Sequence, residues 1–455
     1  MLEKILRIIQ KLIPKSIYKL FQPAYHFSLS LLGAIIYRFP GKKIHVIAIT
    51  GTKGKSSTSE FLNAILEADG KINNYSTSLL STIRFKIGEH SKNNMYKMTM
   101  PGRFFIQKFL YNSVKANCRY VVIEMTSEGA KFYRHMFTYP DALLFTNLTP
   151  EHIESHGGFK KYKACKLRIA SAVENSGKEN TTIVANVSNE YGVEFLNFKV
   201  NNKIEYTEEE SKNVRLSVDG SFNKLNALAA KKYALHLGIK EEVIDEALLN
   251  LKVIPGRVQH IRLEDNNDNK NTNKSSIKKQ DFEVIVDYAH TEDSLEKLYK
   301  TYADNYVIGV LGACGGGRDK GKREALGNTA HKYCNEVIVT DEDPYDDNPR
   351  EIMDSVMRGV LQDVKIIGDH KDLEEKYIIL EDRRAAINYA ITRAEKYINN
   401  LPQDIIRASN IIPKKPIVII SGKGTDPCIM RANDKREKWS DANVAREELE
   451  KVLNN

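Results

Sequence analysis

One stretch constrains this chain more than any other. Ile49-Thr50-Gly51-Thr52-Lys53-Gly54-Lys55-Ser56-Ser57 follows directly on the apolar run Val46-Ile47-Ala48. A buried strand that breaks into glycines, a lysine and paired hydroxyls is suited to holding phosphate. Gly51 and Gly54 let backbone N–H groups turn toward an anion, Lys55 can reach terminal phosphates, and the Ser56 hydroxyl can ligate Mg²⁺. A helix beginning near Ser57 directs the positive end of its dipole at the same place. Gly51, Thr52, Lys53, Gly54, Lys55, Ser56 and Ser57 are therefore expected to hold ATP. The general phosphate-loop pattern has a glycine five residues before Gly54, where this chain has Ile49. The loop is thus the variant TGTxGK(S/T).

A chain of 455 residues is long enough for two or three domains with full cores. Hydrophobic residues make up 42% and charged residues 28%, the balance of a soluble globular protein. The net charge of +9 raises the question of nucleic acid. The lysines are spread along the whole chain, however, with no basic helix carrying interleaved aromatics, so no nucleic-acid partner is expected. The five cysteines Cys118, Cys165, Cys314, Cys334 and Cys428 form no CxxC pair. That usage fits a reducing, cytoplasmic location and gives no zinc site.

The first forty residues form a separate segment. Leu2, Ile5, Leu6, Ile8, Ile9, Leu12 and Ile13 recur at roughly helical spacing, with Lys4, Arg7, Lys11 and Lys15 between them. Phe27–Tyr37 is a second apolar patch. There is no signal-peptide pattern and no span of about 20 apolar residues. A helical segment over 1–41 that caps the next domain is expected, with peripheral membrane contact as the alternative.

Beyond it, β-rich runs at His45–Thr50, Tyr120–Met125, Asp141–Asn147 and Thr182–Val187 are each followed by a polar loop and a helix-compatible segment. The rhythm predicts an α/β fold with a mostly parallel sheet. Helical stretches at Asn223–Leu237 and Glu241–Leu251 lead to the turn cluster Ile254-Pro255-Gly256-Arg257. A central ATP-binding domain over 42–254 and a C-terminal α/β domain over 255–455 are expected. The second domain repeats the rhythm at Phe282–Tyr288, Tyr306–Gly312, Glu336–Thr340 and Ile417–Ser421. The Asn/Lys/Ser-rich run 265–279 reads as a disordered insertion, and 401–415 as a smaller excursion.

Open α/β sheets place ligands beyond the carboxyl ends of their strands. Glu124-Met125-Thr126-Ser127 ends the Tyr120 run, and a carboxylate emerging there can hold Mg²⁺. Thr146-Asn147-Leu148-Thr149-Pro150-Glu151-His152-Ile153-Glu154-Ser155-His156-Gly157 follows another strand, with Tyr162-Lys163-Ala164-Cys165-Lys166 beyond it. Two histidines so close to a strand end can bind a metal or position a substrate.

In this order, TGTxGK, E-x-(S/T)-S and TNL-xx-(D/E)H-xxx-HG-xxxx-Y-xx-xK, the chain resembles the Mur ligases. Within them it is most similar to the branch that adds the third residue of the peptidoglycan stem peptide. The resemblance implies a central phosphate-loop ATPase domain joined to a Rossmann-like C-terminal domain. It implies ATP and two Mg²⁺ sites, with Ser56, Glu124, His152 and Lys166 as metal-site residues. Lys166, fourteen residues after His152, would serve as a carbamate, since a neutral amine cannot bind Mg²⁺ whereas a carbamate is a hard oxygen ligand. Lys55, Glu124, His152 and Lys166 would carry the chemistry.

Further along, Gly220-Ser221-Phe222-Asn223-Lys224-Leu225-Asn226-Ala227 is similar to the family's GxxNxxNAxAA segment, which implies that Asn223 and Asn226 contact adenine. Pro255-Gly256-Arg257 matches a turn whose arginine reaches the ATP phosphates. Asp287-Tyr288-Ala289-His290-Thr291 matches the DYAHT motif, placing Asp287 and His290 at the nucleotide. In the loop Cys314-Gly315-Gly316-Gly317-Arg318 the arginine would clamp the incoming amino acid's α-carboxylate. Thr99, Ser127 and Arg134 fall on positions that touch the acceptor.

Three departures bear on the substrate. About forty residues precede the phosphate loop here, where the family has a UDP-binding domain of roughly a hundred residues. The family's DNPR motif reads Glu342-Asp343-Pro344-Tyr345, and its GKGHE segment reads Gly422-Lys423-Gly424-Thr425-Asp426. Asp343, Tyr345, Lys423 and Asp426 would line the amino-acid pocket, and the acids tilt it toward a basic amino acid. The expectation is an ATP-dependent, cytoplasmic, monomeric acid–amino acid ligase that acts on small molecules through an acyl phosphate, in peptidoglycan precursor synthesis. Alternatives are a folylpolyglutamate-synthase-like ligase, or a nucleotide-binding regulatory protein without ligase activity.

Overall fold

The computed structural model describes residues 15–151, 156–263, 280–317, 320–362, 376–400 and 413–454. His152, Arg318, the insertion at 265–279 and most of the 401–415 excursion lie outside the described residues. The chain divides into two compact units, Met1–Ser217 with Ser221–Leu251, and Val218–Gly220 with Lys252–Asn455.

The first unit opens with a helix, Lys15–Ile36, and a short 3-10 turn, Pro40–Lys43. Its sheet has eight strands: β1 (His45–Thr50), β2 (Ser76–Leu80), β3 (Arg84–Ile87), β4 (His90–Asn93), β5 (Cys118–Glu124), β6 (Ala142–Phe145), β7 (Thr182–Asn186) and β8 (Asn202–Tyr206). They run in the order β4-β3-β2-β5-β1-β6-β7-β8. All neighbours from β2 to β8 pair in parallel, and β3 and β4 add an antiparallel edge. β1 is apolar on both faces and buried from Val46 onward, as a strand covered on both sides must be. Register places Ile49 beside Glu124 and Thr50 beside Phe145. The phosphate loop and the Glu124 carboxylate therefore leave adjacent strands at the same end of the sheet.

The second unit has a six-stranded sheet made of β9 (Gln259–His260), β10 (Glu283–Val286), β11 (Tyr306–Leu311), β12 (Glu336–Val339), β13 (Tyr377–Ile379) and β14 (Pro416–Ile420), ordered β13-β12-β11-β14-β10-β9. Only β9 is antiparallel to its neighbour. A hairpin, β15 (Cys428–Met430) with β16 (Arg436–Lys438), follows. Helices Arg383–Asn399, through alanines and isoleucines, and Asp441–Asn454, through valines and leucines, pack on the Val284, Ile308 and Val418 core. Arg383 is buried and forks onto both Asp441 oxygens at 2.8 Å, while donating to the carbonyls of Asp341 and Ser421. It thereby fixes the two strand ends on which the acidic segment 341–343 and the Gly422 turn stand.

The expected parallel strands are present, most with ends displaced by one or two residues. The hydrophobic pattern does not mark the short or polar ones: β2, β3, β4 and β8 in the first unit, and β9, β13, β15 and β16 in the second.

Candidate active site

The helix after the loop begins at Lys55, two residues before the expected start, because Gly54 adopts φ +81° and turns the chain into it. Glycine offers no side-chain cap, so the first turn is shaped by backbone alone, as an anion-binding helix end requires. Both loop glycines are also demanded by close approach. A Cβ on Gly51 would lie 1.8 Å from Thr146 Oγ1, and one on Gly54 would lie 2.1 Å from Asn226 Oδ1. Thr146 Oγ1 donates to the Lys53 carbonyl at 2.6 Å, and Asn147 brackets the same residue by accepting from its N–H and donating to its carbonyl. Lys55 Nζ curls back onto the carbonyls of Gly51 and Thr52, at 3.0 and 2.8 Å.

Beside the loop, Ser56 Oγ donates to Glu124 Oε2 at 3.2 Å. Glu124 is fully buried and is held by the Thr82 N–H and hydroxyl, each at 3.0 Å. Thr82 in turn bonds Thr99 across 2.7 Å. This is a fixed set of hard oxygens, the donor type that Mg²⁺ takes. Among the described residues no group of three or more His, Cys, Asp or Glu is gathered as a preformed metal cluster.

Lys166 projects from the Phe159–Glu174 helix and is only 2% exposed. Its Nζ donates to the Gly51 carbonyl at 2.5 Å and lies 5.0 Å from the centre of the Tyr162 ring. Burial and the neighbouring Lys55 charge hold its pKa well below the usual lysine value, with Glu151 working the other way. The Tyr162 hydroxyl meets Thr52 Oγ1 at 2.9 Å, so this helix grips the loop from its far side. Of the remaining expected residues in this unit, Asn223 and Asn226 are buried on the Ser221–His236 helix. Ser127 starts a short helix capped by the Thr126 side chain, and Arg134 donates to the Met100 carbonyl.

In the second unit, Arg257 stacks on Tyr288 at 4.5 Å and donates to the Gly256 carbonyl. Asp287 accepts from the N–H groups of Val258 and Ala289, both at 2.7 Å, and burial raises its pKa against the pull of Arg257. His290 Nδ1 lies 2.7 Å from the Tyr288 carbonyl oxygen. The buried Lys423 ammonium donates to Asp343 Oδ1 at 2.9 Å, to the Cys428 carbonyl at 2.8 Å and to Asp426 Oδ2 at 3.4 Å. Burial disfavours that charge, but Asp426 and Asp343 outweigh it, and the lysine pKa lies above its ordinary value.

The Mur ligase middle domain family matches residues 49–221, and the Mur ligase, glutamate ligase domain, family matches residues 275–406. A UDP-N-acetylmuramoyl-L-alanyl-D-glutamate–2,6-diaminopimelate ligase of Bacillus cereus is 30% identical, over 94% of this chain and 82% of its own. The chain belongs to the Mur ligase family. A UDP-N-acetylmuramyl-tripeptide synthetase of a Roseiflexus species is 29% identical over 94% of this Mur ligase and 82% of its own length. In fold, a folylpolyglutamate synthase of Mycobacterium tuberculosis, complexed with ADP and AMPPCP, is similar at a TM-score of 0.62 and 14% identity, covering 94% of this chain and 95% of that one.

Sequence reasoning misses Thr82 in this Mur ligase, and names Glu342 only as one of the acids of its segment, not as a buried residue. Thr82, which fixes Glu124, follows the strand Ser76–Leu80, whose three polar leading residues hide it. Glu342 is buried, accepts from Cys314 Sγ at 3.1 Å through Oε1, and has no hydrogen-bond partner at Oε2 among the described residues. Its place in the acidic run 341–343 is the available signal.

Proposed function

We propose that this Mur ligase joins an amino acid to the terminal carboxylate of a UDP-N-acetylmuramoyl-peptide in peptidoglycan precursor synthesis, at the cost of ATP. The observation that carries the reading is the gathering of Lys55, Ser56, Glu124 and Lys166 around one phosphate loop, in a chain whose relatives are named for that reaction. An acceptor carboxylate oxygen would attack the γ-phosphorus of ATP and ADP would leave. The amino acid's nitrogen would then attack the acyl carbon, lose a proton, and expel phosphate. Hydroxide leaves carbon poorly and phosphate leaves well, which is the purpose of the first step. Lys55 would follow the γ-phosphate charge as it develops.

Ser56 and Glu124 would hold one Mg²⁺, which supplies charge neutralisation to the phosphates. Lys166 fits a second metal site only as its CO₂ adduct. Burial beside Lys55 favours the neutral amine, the form that adds CO₂. His152 would complete that site. Asn223 and Asn226 would meet adenine, with Arg257, Asp287 and His290 at the rest of the nucleotide, and Thr99, Ser127 and Arg134 would meet the acceptor. Arg318, Asp343, Tyr345, Lys423 and Asp426 would hold the amino acid. The buried Glu342 carboxylate in the same segment supports a cationic side chain on that amino acid.

The test is ADP release from MgATP and UDP-N-acetylmuramoyl-dipeptide, scanned over single amino acids including lysine, ornithine and diaminopimelate, with product masses read in parallel. Release that depends on one basic amino acid, with the matching mass gain on the acceptor, is expected. Release with folate-type acids and glutamate instead would replace the acceptor assignment. Release indifferent to every amino acid and acceptor would sink the ligase reading.

A further inference from the structure

The Lys15–Ile36 helix turns the wrong side to solvent for a soluble protein. Its inward face carries the small and polar residues. His26 Nδ1 meets Arg103 Nη2, Ser30 Oγ donates to the Tyr133 carbonyl at 2.8 Å, and Gly33 packs at van der Waals distance on Phe104 and Gln107. Its outward face carries the large apolar ones. Phe21 is 62% exposed, Leu32 45%, Ile35 53% and Ile36 55%. At about 100° per residue these four fall on one side, and Ala24, Leu31 and Phe27 extend the arc along one edge. From Leu20 to Tyr37 the sequence has no lysine, arginine, aspartate or glutamate. A scattered exposed leucine needs no explanation, but an apolar stripe over about four turns, interrupted within its arc by the exposed Ser28, marks a surface that something covers.

Charge identifies what covers it. From Lys4 to Lys43 the chain has eight lysines and arginines and not one acid. Arg38, Lys42 and Lys43, just beyond the helix, are exposed, as are Lys108 and Lys115 on the Arg103–Lys115 helix packed against it. Two copies of such a face would oppose like charges. An apolar stripe rimmed by cations matches the interface of an anionic bilayer, where the stripe enters the acyl boundary and the cations meet phosphates. Among the described residues no helix is long and apolar enough to cross a membrane. We propose that the Lys15–Ile36 helix lies in the plane of an anionic membrane and docks this enzyme on its surface.

The full chain would be sedimented with vesicles of phosphatidylglycerol and phosphatidylethanolamine, and separately with phosphatidylcholine alone. Binding to the anionic vesicles, weakened severalfold by neutral lipid or by raising salt to about 0.5 M, is expected. Leu32→Asp with Ile35→Asp places two carboxylates on the stripe, away from every residue assigned to catalysis. It should lower partitioning roughly tenfold or more while ADP release in solution is retained, which also reports that the variant folds. No sedimentation with anionic vesicles would overturn the proposal, as would binding that ignores the two aspartates. A dimer in solution that the aspartates convert to monomer would overturn it in favour of a second copy.

Discussion

Ser56 Oγ donates to Glu124 Oε2 across 3.2 Å, joining the first turn of the helix after the phosphate loop to the last residue of the neighbouring strand β5. The carboxylate takes its other bonds from Thr82, which do not depend on its being a metal ligand. Glu124→Gln keeps the shape and can keep part of that network, but removes the charge. A fall in kcat of roughly a hundredfold or more is expected, with little change in melting temperature. Steady-state ADP release beside a thermal melt checks it, and equal losses in both would mean that Glu124 is structural.

Gly54 is fixed by two independent demands, a φ of +81° and the 2.1 Å that would separate a Cβ at this position from Asn226 Oδ1. Gly54→Ala should abolish detectable ATP binding and lower stability by about 1 kcal/mol or more through backbone strain and the clash. Adding Asn226→Ala removes the clash and leaves the strain. Partial recovery of stability without recovery of nucleotide binding is the outcome expected from calorimetry and denaturant unfolding of the pair.

Why the loop is legible in the sequence and its supports are not follows from distance along the chain. Lys55, Ser56 and Gly54 announce themselves within a few residues, because phosphate binding needs glycine, lysine and hydroxyl on one turn. Central strands such as His45–Thr50 are equally plain, since a strand buried on both faces is apolar throughout. β2 begins Ser-Thr-Ser and hides its place in the sheet. Its Thr77 is buried because Asn63, fourteen residues away, accepts from its hydroxyl at 3.1 Å. Glu342 likewise takes its character from Cys314 and the Gly422 turn, contacts that no local pattern encodes.

Arg84 and Glu60 form a pair whose acid is almost fully buried while the arginine remains partly exposed. The guanidinium makes bonds of 2.6 to 3.1 Å to both carboxylate oxygens. Burial raises the Glu60 pKa, and Arg84 is what lowers it again. Arg84→Ala strands that carboxylate, and a loss of about 3 kcal/mol is expected in urea unfolding. Glu60→Met with Arg84→Met should recover most of it; a double variant as unstable as the single one would contradict the account.

His260 stands between two acids, with Nε2 at 3.0 Å from Asp219 and Nδ1 at 3.2 Å from Glu283. The bonds to Asp219 and Glu283 raise its pKa from 6.5 to about 9. A raised histidine stabilises fully below its unfolded pKa of 6.5, and that stability is lost as pH rises through about 9. The bond from His260 lowers Glu283 to about 2, so its contribution is present above 4.5 and lost as pH falls through about 2. The cluster therefore gives its full effect between these limits and tethers the Val218–Gly220 segment to its unit. Stability should decline by at most roughly 3 kcal/mol from about pH 6.5 to 9.5 on its account. His260→Gln should flatten that decline, read as the difference in urea midpoint between the two pH values; an unchanged slope would assign the decline elsewhere.

Lys166 is the residue whose role separates a metal-supporting carbamate from a structural lysine. Its amine bonds the Gly51 carbonyl and is buried beside Lys55, an arrangement that disfavours the ammonium. If the side chain serves as an oxygen ligand, Lys166→Ala removes the ligand and leaves a gap beside the loop. ADP release should then fall roughly a hundredfold or more, and millimolar formate or acetate should restore part of it by placing a free carboxylate there. If the lysine only props the loop, short carboxylates will not help, whereas Lys166→Met, which refills the volume without an amine, will. Loss with rescue by carboxylate and none by methionine is the expected pattern. Activity in Lys166→Ala equal to that of the parent would remove Lys166 from the chemistry altogether.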